Sequence, residues 1–558
     1  MRINKKWCSS LAASAVLAGA AVTGLLPATA SAAEGGTPTI IQLGDSFSSG
    51  EGGGWKGNAS TRAGSSQGDR EGTDMAARQK TDGSWQYRPE QYVYEESTYR
   101  ENGGHWGQNP CHRALSAPIQ WVQQKSPEIT KVVNVACSGA KSVNVWKPEN
   151  GGVEQHSGLK TQLQQVADRV NSTDDVKLVA IGVGGNDMRV GDETGFGAVV
   201  AQCIKAYLFQ HNLPGYAGFC KDTFEGEIGE SISSVYYNTL KTIDGVRSTL
   251  ASRGQPVGSY RIVLLGYPSI TPTDSSDWST VNESTQWDER CPIRRTDSTW
   301  VNNHVVTRLN NVLRSAATGQ AVGFIDMRDA FAGHRLCESN TFRSPSSANQ
   351  AEWVRYLDIG NVSPEHFAAQ NLTTTSGEDL SEDLASHRHF SESFHPNHWG
   401  QQAIGDCLSE YWKNTTGNTH RRCFVGGVGP LNNPDNMALG TAPAQSTVTD
   451  VPANKHIGNP TVRQVTVPDA VPAGHYFQFS TNITHPRKGQ LQIDLVSPNG
   501  TTHRLKQYNP GDTGAWGTGG EFIRSYTSDP SGTWTLRIYD QDQTTYNGTL
   551  NSWSLRNF

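Results

Sequence analysis

Five apolar runs rich in β-branched residues recur along the first part of the chain: "TPTIIQLGDS" (37–46), "KVVNVACSGA" (131–140), "VKLVAIGVGGND" (176–187), "YRIVLLGYP" (260–268) and "VGFIDMRDAF" (322–331). Each closes on polar or small residues. Helical patterns lie between them; Leu159, Leu163, Val166 and Val170 fall on one face at spacings of four, three and four. Strand alternating with helix predicts an α/β domain, a parallel sheet covered on both sides. In such sheets the chemistry collects at the carboxyl ends of the strands, which is where "GDS", "CSGA" and "GGND" stand.

Those strand ends carry groups that suit nucleophilic catalysis. A serine hydroxyl is a poor nucleophile until a base takes its proton, and the oxyanion it creates needs fixed donors. Ser46 supplies a hydroxyl at a strand end, although a helix N-cap would use serine equally well. Gly139 offers a backbone N–H and Asn186 a side-chain amide, and both types are also ordinary turn residues. Far downstream, "SESFHPNHWGQQA" provides His395, with Pro396 disfavouring helix at the histidine itself. His398 competes for the same role but is expected to begin the helix. Glu392, three residues before His395, could orient the imidazole as the acid of a triad.

The ordered set "GDSFSSGEG", "ACSGA", "GVGGND" and "FHPN" resembles the SGNH (GDSL) hydrolase superfamily, whose four blocks contribute Ser, Gly, Asn and His in that order. "CHRALSAP", "LLGYP", "FAGHRLC" and the cysteine spacing make it most similar to the secreted actinobacterial esterases and lipases. The likeness runs from about Thr37 to about Cys423. It implies a flavodoxin-like α/β/α domain, with Ser46 as nucleophile and His395 as general base and acid. The N–H groups of Ser46 and Gly139 and the Asn186 amide would form the oxyanion hole. The chain departs from the common DxxH block at Glu392; in that branch the acid can be missing and a main-chain carbonyl substitutes.

The termini and the cysteines place this domain in context. Arg2, Lys5 and Lys6 precede the apolar run "LAASAVLAGAAVTGLL" and the small residues "ATASAA", which predicts a cleaved export signal over 1–32 and an extracellular protein. The run is shorter than the roughly 20 apolar residues of a membrane span. Cys8 lies in the signal, leaving Cys111, Cys137, Cys203, Cys220, Cys291, Cys337, Cys407 and Cys423, an even set suited to disulfides. Eight cysteines allow about 105 pairings; closeness along the chain favours Cys111–Cys137, Cys203–Cys220, Cys291–Cys337 and Cys407–Cys423. No CxxC pair points to a metal.

Domain boundaries follow from composition. The hydrolase-like domain is expected over 33–424. Residues 425–446 read as a linker of Gly, Pro, Asn and Thr, and 447–558 as a small all-β domain of short strands between "PNG", "DPSG" and "YNG" turns. That last segment, with "STNITHPRKGQLQIDLVSPNGTTHRL" and "SGTWTLRIYD", resembles the P domain (P/Homo B) of subtilisin-like proprotein convertases. The resemblance implies a β-sandwich, often with structural calcium; Asp540 and Asp542 are the weak candidate ligands, and Gln490 stands where an acid is usual. The insertion 52–110, rich in Gly, Arg, Trp and Tyr, is a lid, a binding loop or surface decoration.

With a formal net charge of -6, nucleic acid is set aside as a partner. The leading expectation is a monomeric secreted serine esterase or lipase acting on an ester or lipid substrate, with no cofactor for catalysis. A phospholipase or carbohydrate acetyl esterase is the alternative. A serine protease lacks the subtilisin-type "HGT" and "GTSMA" blocks, and a non-catalytic protein would not need all four blocks. The P-like domain is expected to engage a surface or macromolecular target.

Overall fold

The computed structural model describes residues 35–557 with interruptions, the longer of which are 59–76, 88–110, 342–350, 370–391, 426–436, 442–450 and 468–475. The expected export signal and most of the insertion therefore lie outside the described residues. Among the described residues no helix is long and apolar enough to cross a membrane.

Seven strands make the principal sheet: β1 (Thr37–Gly44), β2 (Lys131–Asn134), β3 (Asp174–Gly182), β4 (Arg261–Leu265), β5 (Gly323–Asp329), β6 (His420–Val425) and β7 (Met437–Thr441). Their order is β7–β6–β5–β4–β3–β1–β2. β2 through β6 run parallel, and β7 closes one edge antiparallel to β6. Ile40, Ile41 and Leu43 of β1 and Leu178, Val179 and Ile181 of β3 are buried without alternation, as befits strands covered on both faces.

Helices form two layers against this sheet. Pro118–Lys125 packs on His398–Asn414, while Gln162–Arg169 and Thr307–Gly319 pack on the long helix Cys220–Ala251. The helix Gln162–Arg169 opens on a capping box between Thr161 and Gln164 and buries Leu163 and Val166. Leu159 precedes that helix, packing instead on the Cys111–Cys137 disulfide. The four disulfides are Cys111–Cys137, Cys203–Cys220, Cys291–Cys337 and Cys407–Cys423.

The C-terminal region is all β. One antiparallel four-stranded sheet joins Val451–His456, Thr549–Asn557, Tyr476–His485 and Trp516–Thr527, and a second joins Thr461–Val467, Gly532–Asp540, Leu491–Val496 and Thr502–Lys506. Trp534, Leu536 and Ile538 are buried in alternation with more exposed neighbours, the period-two pattern of a sheet with one face on a core.

One expectation is corrected here. Residues 425–446 are not a plain linker: Met437–Thr441 is the edge strand β7, and Met437 is buried. Its five residues carry too little β-branching to announce a strand; pairing with β6 supplies what the side chains do not. Asp540, the weak candidate calcium ligand, stands in the second sheet. It ends a strand, is fully buried, and accepts a hydrogen bond from His485 Nε2 at 3.1 Å. Among the described residues no three acidic, histidine or cysteine side chains converge as metal ligands. Asp542 lies outside the described residues.

Candidate active site

The strand order places a switch in direction between β1 and β3, because β2 lies to one side of β1 and every later strand to the other. Crevices form at the carboxyl ends of strands at such a point. Three of the expected residues follow the three strands there: Ser46 after β1, Gly139 after β2 and Asn186 after β3. Backbone bonds tie the strand exits together: Asp45 N–H donates to Gly182 O at 2.9 Å and Cys137 N–H to Gly44 O at 3.0 Å. Gly44 has a φ of +145°, and a β-carbon on it would stand 2.2 Å from Gly182 O, so only glycine allows this approach.

Ser46 opens the short helix Ser46–Ser49, capped by the Asp45 carboxylate, which accepts from Phe47 N–H at 3.1 Å. At the first helical position the Ser46 N–H has no intrahelical acceptor. The side chain is not merely a cap. His395 Nε2 lies 2.8 Å from Ser46 Oγ, and His395 Nδ1 lies 3.0 Å from the main-chain oxygen of Ser393. A carbonyl only accepts, so the proton sits on Nδ1; Nε2 is left bare to accept from the serine hydroxyl. Both residues are almost fully or partly buried, and the ring of Phe47 stands 5.4 Å from the imidazole.

Asn186 is buried, and its Nδ2 donates to Ala140 O at 3.2 Å. One amide hydrogen is thereby fixed, and the second remains for another acceptor. Gly139 takes a φ of +76°, and its N–H has no backbone acceptor among the described residues. His398 begins the helix His398–Asn414 and packs on Trp121, away from the serine.

Glu392 is the correction at the site. Its carboxylate is buried and Oε2 accepts from the Trp55 indole N–H at 2.6 Å, while Ser393 O occupies His395 Nδ1. Glu392 thus does not take the acid's place in a triad, because the chain turns at Phe394, whose φ of 61° is rare for a bulky residue. Two bonds hold that turn: Phe394 N–H to Arg355 O at 2.9 Å and Arg355 N–H to His395 O at 2.8 Å. The Arg355 guanidinium lies 3.7 Å over the Trp55 ring. The insertion's first residues are therefore part of the histidine's support, with Asn58 Nδ2 donating to Val354 O and Glu352 Oε2 at 2.7 Å each.

Several residues around the site are not singled out by the sequence: Glu51, His112, Trp55, Arg355 and Tyr267; the Ser393 carbonyl is the main-chain acceptor expected as the alternative to Glu392. Glu51 lies within "GDSFSSGEG" and Tyr267 within "LLGYP", blocks that carry the resemblance without marking either residue's chemistry. Burial lowers the His395 pKa below its ordinary value, and His112 adds to this; Glu51, the Ser393 carbonyl and Glu392 act in the opposite direction. The site can thus deprotonate a hydroxyl and shuttle one proton at near-neutral pH.

Comparison with known proteins finds likenesses in more than one part of the chain. The family model "Proprotein convertase P-domain" matches residues 475–557. A transglutaminase-activating metalloprotease of Streptomyces mobaraensis is 40% identical over 83 residues, 14% of this chain and 10% of that protein. The chain thus spans about a tenth of the length of that curated relative. Among solved structures, it is similar to an extracellular lipase from Streptomyces rimosus, at 19% identity, TM-score 0.33, 65% of this chain and 94% of the other. It is likewise similar to a phospholipase A1 from Streptomyces albidoflavus NA297, at 18% identity, TM-score 0.34, 66% of this chain and 97% of the other.

Proposed function

We propose that this chain is an exported serine hydrolase of carboxylic acyl esters. The observation that carries the reading is the 2.8 Å approach of Ser46 Oγ to a His395 Nε2 left unprotonated by the bond at Nδ1. His395 takes the hydroxyl proton as Ser46 attacks the ester carbonyl. The tetrahedral oxyanion is met by the Ser46 and Gly139 N–H groups and the free hydrogen of the Asn186 amide. Collapse expels the alcohol, which takes the proton from His395, and leaves an acyl enzyme. Water, deprotonated by the same imidazole, releases the acid. The serine and histidine act as a dyad, with the Ser393 carbonyl setting the tautomer. The likeness to lipases and a phospholipase fits an ester substrate, and the P-domain match fits a module for a surface or macromolecular target.

The test is labelling and turnover together. A serine-directed phosphonate should modify Ser46 alone, and Ser46→Ala should abolish hydrolysis of p-nitrophenyl esters; retention of most activity would sink the assignment. Asn186→Ala should lower kcat about 10²-fold with little change in KM. The same assay across ester chain lengths, with phospholipid and acetylated xylan beside it, separates a lipase from a phospholipase or a carbohydrate acetyl esterase.

A further inference from the structure

A dyad whose Nδ1–H faces a neutral carbonyl lacks the carboxylate that stabilises the imidazolium in a full triad. The chain nevertheless buries a carboxylate beside the pair. Glu51 is fully buried, its N–H donates to Ser46 O at 3.1 Å, and its carbonyl accepts from Gln401 Nε2 at 3.0 Å. The residue is therefore fixed on the turn that carries the serine. Its neighbour Gly52, at a φ of +76°, stands against the histidine: a β-carbon there would lie 3.4 Å from His395 Cβ and 3.0 Å from Pro396 O. Glu51 is thus fixed on the nucleophile's turn, next to the glycine that packs on the histidine.

Its side chain is gripped by a histidine. His112 Nδ1 lies 2.5 Å from Glu51 Oε2, and His112 adjoins Cys111, whose disulfide to Cys137 anchors it. His112 itself takes a φ of 47°, which non-glycine residues rarely adopt. A buried carboxylate ordinarily keeps its proton. Here burial does press the Glu51 carboxyl upward, but His112 and His395 outweigh it and hold the group below its ordinary value.

We propose that Glu51, held by His112, is a positioning residue that balances the His395 imidazolium through space, replacing an acid at Nδ1. The proposal rests on the ester-hydrolase reading. Among the described residues, the charged groups that act on His395 are Glu51 and Glu392, which favour the cation, and His112, which opposes it. Arg355, the cation of the adjoining segment, is stacked on Trp55.

The test is a pH profile of kcat/KM with a p-nitrophenyl ester, beside an NMR titration of the His395 ring. Glu51→Gln should move the acid limb and the ring's midpoint down by about 1 pH unit and lower kcat on the order of tenfold. Glu51→Asp, which keeps the charge, should restore much of both. A folded Glu51→Gln with an unmoved midpoint overturns the proposal. Should Glu51→Gln not fold, Glu51→Ala decides by the same titration: its His395 midpoint should fall likewise, and an unmoved one overturns the proposal. The titration needs no substrate, so an enzyme inactive on every ester, with Ser46 unlabelled, refutes the hydrolase reading alone.

Discussion

His395 can accept the Ser46 proton in only one tautomer, and the Ser393 carbonyl selects it without a carboxylate. Loss of Glu392 should therefore fall on stability more than on rate. Glu392→Ala takes the acceptor from the buried Trp55 indole, a change that costs about 1–3 kcal/mol, while Nδ1 keeps its carbonyl. We expect kcat to drop by about 10-fold, against the roughly 10⁴-fold of a triad acid without substitute, together with a lower Tm. His395→Ala serves as the inactive comparison. A folded Glu392→Ala as inactive as His395→Ala would restore the triad. The sequence carried the reactive groups because Ser, Gly, Asn and His stand in four ordered blocks, three of them at strand ends. It could not carry the 3.0 Å bond at Nδ1, since any residue at 393 presents the same carbonyl.

At the level of elements, three strand exits are clamped by one buried chain of hydrogen bonds. Gly185 N–H donates to Tyr267 Oη at 3.0 Å, and the Tyr267 hydroxyl donates to Asp45 Oδ2. Tyr267, after β4, thus sets the loop bearing Asn186 against the turn bearing Ser46. Burial raises Asp45 to about 7, with Asp187 adding to it, against the bonds from Tyr267 and Phe47. Between the ordinary 3.8 and about 7, the unfolded carboxyl is ionised while the folded one keeps its proton. The folded state binds more protons in that window, so this residue's contribution to stability falls as pH rises through it. The loss is on the order of 4 kcal/mol. Asp45→Asn keeps an acceptor without the charge, so its urea stability relative to the unmodified protein should improve from about pH 4 to about pH 7 and level off above that. A difference that stays constant with pH would show that Asp45 does not titrate there. Five parallel strands were legible because β-branched runs buried on both faces leave unbroken apolar stretches. β6 and β7 were not: "HRRCFV" and "MALGT" have no such run, and their place is set by the neighbours they pair with.

Across the whole molecule, the boundary between the two regions lies later than composition suggested. Met437 N–H donates to Asp406 Oδ2 at 3.0 Å, the other Asp406 oxygen takes the Lys125 ammonium, and the adjacent Cys407 is bonded to Cys423. β7 is thus fastened to the helix His398–Asn414 as well as to β6. It also covers an edge that would otherwise offer unpaired N–H and C=O groups to another chain. A chain ending after Thr441 should therefore keep its Tm for the first domain and hydrolyse small soluble esters within a few-fold of the full protein. A chain ending before Met437 should lose several degrees of Tm and aggregate more readily. Its soluble fraction should still turn over substrate, because β7 stands five strand positions from β1, about 24 Å at 4.8 Å per strand. Equal Tm for the two truncations would show that β7 adds nothing to the sheet. Loss of turnover in the longer one, with folding intact, would show that the C-terminal region helps to build the site.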